Sequence, residues 1–306
     1  MNMKTYQIGL FMGSDISSHL LMNKLIPELK AQGHTPHVYL VLHKPSIKPA
    51  LPEIARLAFY ERGILNNDIY PLLDENNINA PNISPKSLAK EYGIEVQEIT
   101  NINAQVFVQE LKDKNIQGGI SIRCYQKFKD DIIEHFNANQ GGFLWNLHPG
   151  ILPQYRGVMT LIRAMANNEK QTSYSLHAID ANWDAGALID VRPQELNITK
   201  AMLTSYCDLS SSGLPIILEN LTKLSQELEL TNMPQNSEQA QYYSFPTQKD
   251  LDNYKEKGLS LVSPKDMQKI YKDAFYPNNS EIDNQVEAII KKYEDEYLAS
   301  LNKQAA

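Results

Sequence analysis

Apolar positions near the start of the chain form a short run, then a helical repeat, then a second run. Tyr6 to Met12 reads as a strand, Gly13-Ser14-Asp15 as a turn, and Ile16 to Gln32 as an amphipathic helix closed by Gly33. Thr35 to Leu42 makes a second strand, so the chain opens as βαβ and predicts a parallel sheet. From His43 to about Tyr92 comes a long excursion with Pro45, Pro49 and Pro52, a helical stretch from Glu53 to Arg62, and an Asn-rich segment ending near Pro85. Connections of that length often wall a substrate site, and others only decorate the surface. Glu95 to Ile99 and Gly118 to Ile122 read as further strands, with a helix from Ala104 to Asp113 between them.

Downstream, residues 142–147 form an apolar run that reads as a buried strand, and the helical pattern resumes from Val158 to Asn167. Ser173 to Asp180 reads as another strand and Lys200 to Leu228 as a helix. Thr231 to Gln241 is polar and loop-like, and Tyr242 to Thr247 is extended. Gln248 to Lys257 forms a helix capped by Gly258, and Glu281 to Leu301 an amphipathic helix. Tyr242, Tyr243 and Phe245 either border a site or pack on the main domain, packing being the simpler duty. The pattern predicts an α/β fold. Residues 1–230 form a Rossmann-like core with a mainly parallel sheet, and residues 231–306 a smaller, mainly helical C-terminal extension.

Composition narrows the class. A chain of 306 residues with net charge −7 can bury a substantial core but offers no broad cationic surface, so a nucleic-acid partner is not expected. The two cysteines, Cys124 and Cys207, lie far apart without a disulfide framework, which suggests a reducing compartment. The apolar run Ile8 to Met12 is too short for a signal or membrane-spanning segment, so a cytoplasmic protein with no membrane partner is expected.

The chemistry concentrates in Trp145-Asn-Leu-His-Pro-Gly-Ile-Leu-Pro-Gln-Tyr-Arg-Gly157 and Trp183-Asp-Ala-Gly186. A strand turns alternate side chains to one face, so Asn146 and His148 point the same way at a strand's carboxyl end, where open α/β sheets place their ligands. Pro149-Gly150 ends that strand, and Pro153 and Gly157 keep the next segment irregular. An Asn amide can donate to a developing oxyanion, worth about 2.7–4 kcal/mol of transition-state stabilisation, and a His can take a proton near neutral pH. Asp184 would orient the imidazole and stabilise its cation, which together suits acyl transfer to an amine.

Both elements resemble the signature of the folate-dependent formyltransferases, a family that includes glycinamide ribonucleotide, methionyl-tRNA and sugar N-formyltransferases. Asn146 and His148 fall on the family's Asn-x-His-Pro, Leu152 to Gly157 on its Leu-Pro-x-Tyr-Arg-Gly continuation, and Asp184 on its Asp-x-Gly aspartate. The resemblance implies 10-formyltetrahydrofolate as formyl donor, an amine acceptor, an oxyanion held by Asn146 and His148, and proton transfer assisted by Asp184. Arg123, Cys124 and Tyr125 stand where the family lines its folate pocket, and Trp183 is a further cofactor-binding candidate. Tyr155 and Arg156 are candidates for supporting the motif loop and touching the acceptor. Gly13 and Ser14 could hold a ligand at a helix N-terminus, although a plain capped turn is the better explanation because Gly-Ser-Asp lacks GxGxxG and P-loop spacing.

His177 and Asp180 lie near Asp184, but no compact ligand cluster surrounds them and no metal is expected. The helical, mixed-charge tail differs from the barrel and basic surface of methionyl-tRNA formyltransferases. A small-molecule amine acceptor is therefore preferred: an amino sugar, an amino acid or a hydroxylamine. The His-Pro-Gly form of the motif leans towards the sugar-modifying members. A formyltetrahydrofolate hydrolase would use the same trio, yet a first strand at Tyr6 leaves no room ahead for the regulatory domain that the family's deformylases usually carry. A non-catalytic folate-binding or partner-binding protein would have no chemical need for all three residues. Homo-oligomerisation stays open.

Overall fold

The computed structural model of the protein describes residues 3–42, 50–139 and 141–304. His43, Pro45 and Pro49 of the excursion lie outside the described residues. Seven strands make the main sheet: β1 (Gln7–Met12), β2 (Thr35–Val41), β3 (Glu95–Ile99), β4 (Gly118–Ile122), β5 (Phe143–Pro149), β6 (Tyr174–Ala178) and β7 (Leu188–Val191). Their spatial order is β3-β2-β1-β4-β5-β6-β7. The first five run parallel, and β6 and β7 add antiparallel strands at one edge.

The opening βαβ forms as the pattern predicts. Asp15 caps the helix Ile16–Ala31, its Oδ1 accepting from the Ser18 amide at 3.1 Å. Gly33, at φ 84°, ends that turn in the left-handed conformation that glycine tolerates best. The strand order reverses between β1 and β4, and the carboxyl ends of strands at such a switch point flank a ligand crevice.

Two hydrophobic cores cover the faces of the sheet. One gathers the helices Ile16–Ala31 and Met202–Ser225, and the C-terminal residues Tyr271, Phe275 and Val286 join it. The other lies under the helices Gln105–Asp113 and Asp130–Ala138, with Phe11 at its centre against Tyr39, Phe107, Phe128 and Phe136. The C-terminal extension is mainly helical, with helices Gln248–Glu256, Pro264–Phe275 and Ser280–Gln304.

The excursion is more ordered than its sequence suggests. Its helix runs from Pro52 to Glu75, not to Arg62, and passes through π-helical turns at Phe59–Gly63 and Leu65–Ile69. Asparagine favours turns because its side chain competes for nearby backbone. Here Asn66 Nδ2 instead donates to the Ser14 carbonyl at 2.8 Å as well as to that of Arg62, so a tertiary bond keeps the segment helical. The helix Asp130–Ala138 and the strand β7 also go beyond the sequence reading. Both are short, and β7 gains its pairing by folding back onto β6 and by a bridge from Leu188 to Met233.

Candidate active site

β5 carries Asn146 and His148 on one face, as period-two alternation requires. The cavity at the carboxyl end of the sheet, about 970 Å³, is lined by both residues and by Asp184. Asp184 is brought there by a turn held in two places. At Gly186, a Cβ would stand 1.9 Å from the Ala178 carbonyl, so only glycine lets the turn press onto β6. From the other side, the Gly157 amide donates to Asp184 Oδ2 at 2.8 Å.

The other carboxylate oxygen is the hub of the site. Asn146 Nδ2 lies 3.3 Å from Asp184 Oδ1, His148 Nδ1 3.5 Å, and His177 Nε2 3.7 Å. Asn146 Nδ2 also donates to His177 Nε2 at 3.0 Å. The Ala178 carbonyl, 2.7 Å from His177 Nδ1, accepts the hydrogen bond that the Nδ1–H donates, which leaves Nε2 as the acceptor. Both N–H groups of Asn146 therefore face protein acceptors, and donating to a substrate oxygen requires exchanging one of them.

His148 is fixed in the same manner. Its Nε2 donates to the Tyr155 carbonyl at 2.6 Å, which places the free lone pair on Nδ1, facing Asp184. Burial lowers the His148 pKa from its ordinary value, partly offset by the Asp184 charge, so the ring is neutral near pH 7. Although burial opposes it, the neighbouring His148 and His177, with the Gly157 amide, hold the Asp184 carboxyl below the usual range. A neutral base whose conjugate acid faces an ionised carboxylate can accept a proton and keep its cation stabilised.

His177 is the residue whose part the sequence reading did not assign. Its sequence neighbourhood, with Asp180 nearby and no compact ligand cluster, gives it no role. The structure sets it across the β5–β6 ladder from Asn146, and cross-strand partners share a face, a pairing that sequence spacing does not reveal. Among the described residues no group of three or more His, Cys, Asp or Glu side chains is arranged to hold a metal ion.

The other nominated residues divide. Arg123, Cys124, Tyr125 and Trp183 all line the cavity. Arg123 is buried in an ion cluster, with Nε 2.9 Å from Asp15 Oδ1 and Nη2 on Glu61, and it lies 4.7 Å from the Tyr206 ring centroid. Cys124 has its thiol pushed up to about 12 by burial and is no nucleophile. Tyr155 and Arg156 stay outside the lining. Tyr155 donates to Glu169 at 2.8 Å, and Arg156 grips Gln235 Oε1, whose own amide donates to the Asp184 and Gly186 carbonyls. Both buttress the motif loop. Gly13 and Ser14 also lie outside the lining: the Gly13 amide bonds the Ile122 carbonyl and the Ser14 carbonyl receives Asn66.

The C-terminal extension supplies part of the wall. Tyr242 and Tyr243 pair in parallel with Arg156 and Gly157. Gly157 permits this at φ 96°, since a Cβ there would meet the Tyr243 carbonyl at 2.1 Å. Tyr243 stacks on Tyr155, whereas Tyr242 and Phe245, 53% and 54% exposed, rim the cavity together with Trp183 at 42%.

The fold is Rossmann-like, and residues 84–205 match the family model described as formyl transferase. A sugar N-formyltransferase from Shewanella sp. superposes with a TM-score of 0.52 at 12% identity, over 81% of this chain and 86% of that one. The N-formyltransferase from Helicobacter canadensis, solved with folinic acid and dTDP-3-aminofucose, gives 0.51 at 20% identity, over 80% and 72%. In sequence, the methionyl-tRNA formyltransferase of Halothermothrix orenii is 26% identical over 180 residues, covering 58% of this chain and 55% of that protein. That of Kosmotoga olearia is 29% identical over 166 residues, covering 54% and 51%. The chain thus spans about half the length of the curated relatives it matches. Among the described residues no helix is long and apolar enough to cross a membrane.

Proposed function

We propose that this protein transfers a formyl group from 10-formyltetrahydrofolate to the amino group of a small molecule. The observation that carries the reading is the convergence of Asn146, His148 and Asp184 at one cavity, on the strand end and turn that the motif specifies. The match of residues 84–205, which include all three, to the formyl transferase family model supports it.

The cavity straddles the end of the sheet. On one side Cys124 and Ile179 pack with the second core; on the other Leu57, Met202 and Tyr206 belong to the first. The side bearing Cys124, Phe128, Ile179 and Trp183 suits a flat heterocycle, with apolar and aromatic walls and the polar edges of Gln126 and Asn182. It is the donor lobe of this reading. The opposite side, walled by the excursion helix, is left for the acceptor.

The donor supplies an electrophilic formyl carbon: the amine nitrogen bonds to it, the carbon–nitrogen bond to the folate breaks, and the proton lost by the amine ends on the departing nitrogen. His148 Nδ1 holds that proton in transit, and Asp184 faces the imidazolium that results. Asn146 turns one N–H from its protein acceptors to the carbonyl oxygen as negative charge develops there. His177 Nε2, accepting from Asn146 Nδ2, keeps the Asn146 amide in place throughout.

A tRNA acceptor fits less well. The net charge of −7 supplies no broad attraction for phosphates, and the tail folds back as helices onto the first core. Calorimetric titration with 5-formyltetrahydrofolate tests the donor without an acceptor. Saturable binding is expected, and folded protein that fails to bind would sink the reading. Steady formate release from 10-formyltetrahydrofolate without any amine would replace the transferase by a hydrolase.

A further inference from the structure

The acceptor lobe has a wall that the motif does not encode. Leu51, Ile54, Leu57 and Ala58, all on the excursion, face the cavity there, joined by Met202 and Tyr206. At its inner end sits the Arg123 cluster. The guanidinium is held between two buried carboxylates, Asp15 and Glu61, and Tyr125 Oη accepts from it at 2.5 Å. Arg62, 3.3 Å from Glu61, answers the remaining negative charge.

Every charge in that cluster has an internal partner. An acceptor phosphate that paired with Arg123 would have to displace a buried carboxylate, Asp15 or Glu61, and would leave that charge buried without its partner. Lys127, a further cation among the described lining residues, is exposed and follows β4 on the donor side.

The wall is also braced from behind. Glu294, on the helix Ser280–Gln304, accepts from Arg56 Nε and Nη2 at 2.9 and 2.7 Å and from Tyr60 Oη at 2.8 Å. Tyr293 stacks on Phe59 with ring centroids 3.6 Å apart. The bracing holds the apolar face of the helix in one position, as a shape-selective wall requires.

We propose that the acceptor is a primary amine with an apolar body, which the Leu51–Ile54–Ala58 face receives, and not a phosphorylated or nucleotide-linked amine. This rests on the formyltransferase reading of the same site.

The test uses the full chain and 10-formyltetrahydrofolate, with tetrahydrofolate release measured on two sets of amines. One set is 2-phenylethylamine and hexylamine; the other is dTDP-3-aminofucose and glucosamine 6-phosphate. The apolar set is expected to give kcat/KM at least about tenfold higher, the scale on which apolar pockets discriminate. A preference for the phosphorylated set, or turnover on none of the apolar amines while 5-formyltetrahydrofolate still binds, overturns the inference and leaves the donor assignment standing. Failure of the folded protein to bind the folate overturns the formyltransferase reading itself.

Two half-buried wall positions provide the second measurement. Leu51→Gln and Ile54→Gln are expected to raise KM for the favoured apolar amine about tenfold, with folate affinity within about twofold of the parent. An unchanged KM in both variants rejects the wall assignment.

Discussion

The donor and acceptor lobes that we propose for the cavity are built by different means. On the donor side, strand ends and tight turns carry the residues: Asn146 and His148 sit on β5, and Asp184 on a turn pinned by Gly186 and Gly157. On the acceptor side, a helix with two π-helical turns makes the wall, and the C-terminal helix braces it through Arg56, Tyr60 and Phe59. Backbone hydrogen bonding fixes the first lobe at short range. Side chains more than two hundred residues apart hold the second. Chemistry that must be positioned to fractions of an ångström belongs on the first kind of support, and selectivity can change with the second without disturbing it.

The comparison breaks most sharply at His148. If the donor-side trio performs the reaction, His148→Gln lowers kcat by about 10²–10⁴-fold while leaving 5-formyltetrahydrofolate binding within severalfold. Single-turnover kinetics measure this, and an undiminished rate would remove His148 from the mechanism. Asp184→Asn comes next, with a loss of about 10²-fold or more, because His148 loses the charge that stabilises its cation.

The pH profile adds a sign to that effect. Burial lowers the His148 pKa, so the neutral base persists below the usual imidazole range and activity falls only as the pH drops through that lowered value. The Asp184 charge raises the His148 pKa, so Asp184→Asn should move the acid limb of kcat/KM to lower pH still. A limb that stays in place, or moves up, would uncouple the two residues. For stability, Asp184 is held low, so its contribution is full above the unfolded carboxylate value of about 3.9 and is lost as the pH falls below it.

The junction between the lobes gives a smaller effect. Gly157→Ala would place a methyl group 2.1 Å from the Tyr243 carbonyl at φ 96°, and it should destabilise the protein by about 2–3 kcal/mol in denaturant melts. An unaltered midpoint would show that the Tyr242–Tyr243 segment is free to leave. Smallest is the brace: a double-mutant cycle on Arg56 and Glu294, each about one-fifth exposed, should return a coupling of about 1 kcal/mol. Chemistry with a favoured amine should change far less than its KM.

Much of the donor side could be read from the chain because its signals are local. Alternation puts Asn146 and His148 on one face, Pro149-Gly150 stops the strand, and the βαβ opening implies a parallel sheet with a crevice at the strand ends. His177 escaped because its role depends on the register between β5 and β6, which sets it opposite Asn146. Arg123 shows the same limit from another direction. Its place after β4 was legible, but its two carboxylate partners come from residues 15 and 61, and those partners turn a candidate cofactor contact into the centre of an ion cluster.

The excursion was the least legible segment. Asparagines and prolines argue for loops, and helix propensity is a weak prior that packing overrides. Asn66 bonded to the Ser14 carbonyl, Tyr60 and Ile64 buried in the first core, and Glu294 gripping Arg56 make the stretch helical through contacts that no local window contains.

By itself the sequence determined the βαβ start, the buried strand that presents Asn146 and His148, the turn that carries Asp184 and the helical character of the tail. Each depends on residues within a few positions of one another, where periodicity and turn chemistry act directly. Only the tertiary structure decided that one oxygen of Asp184 gathers Asn146, His148 and His177, that Arg123 is neutralised from two sides, and that the tail braces an apolar wall. Those arrangements arise when distant segments close together, and their energies depend on burial and partner geometry that a linear chain does not contain.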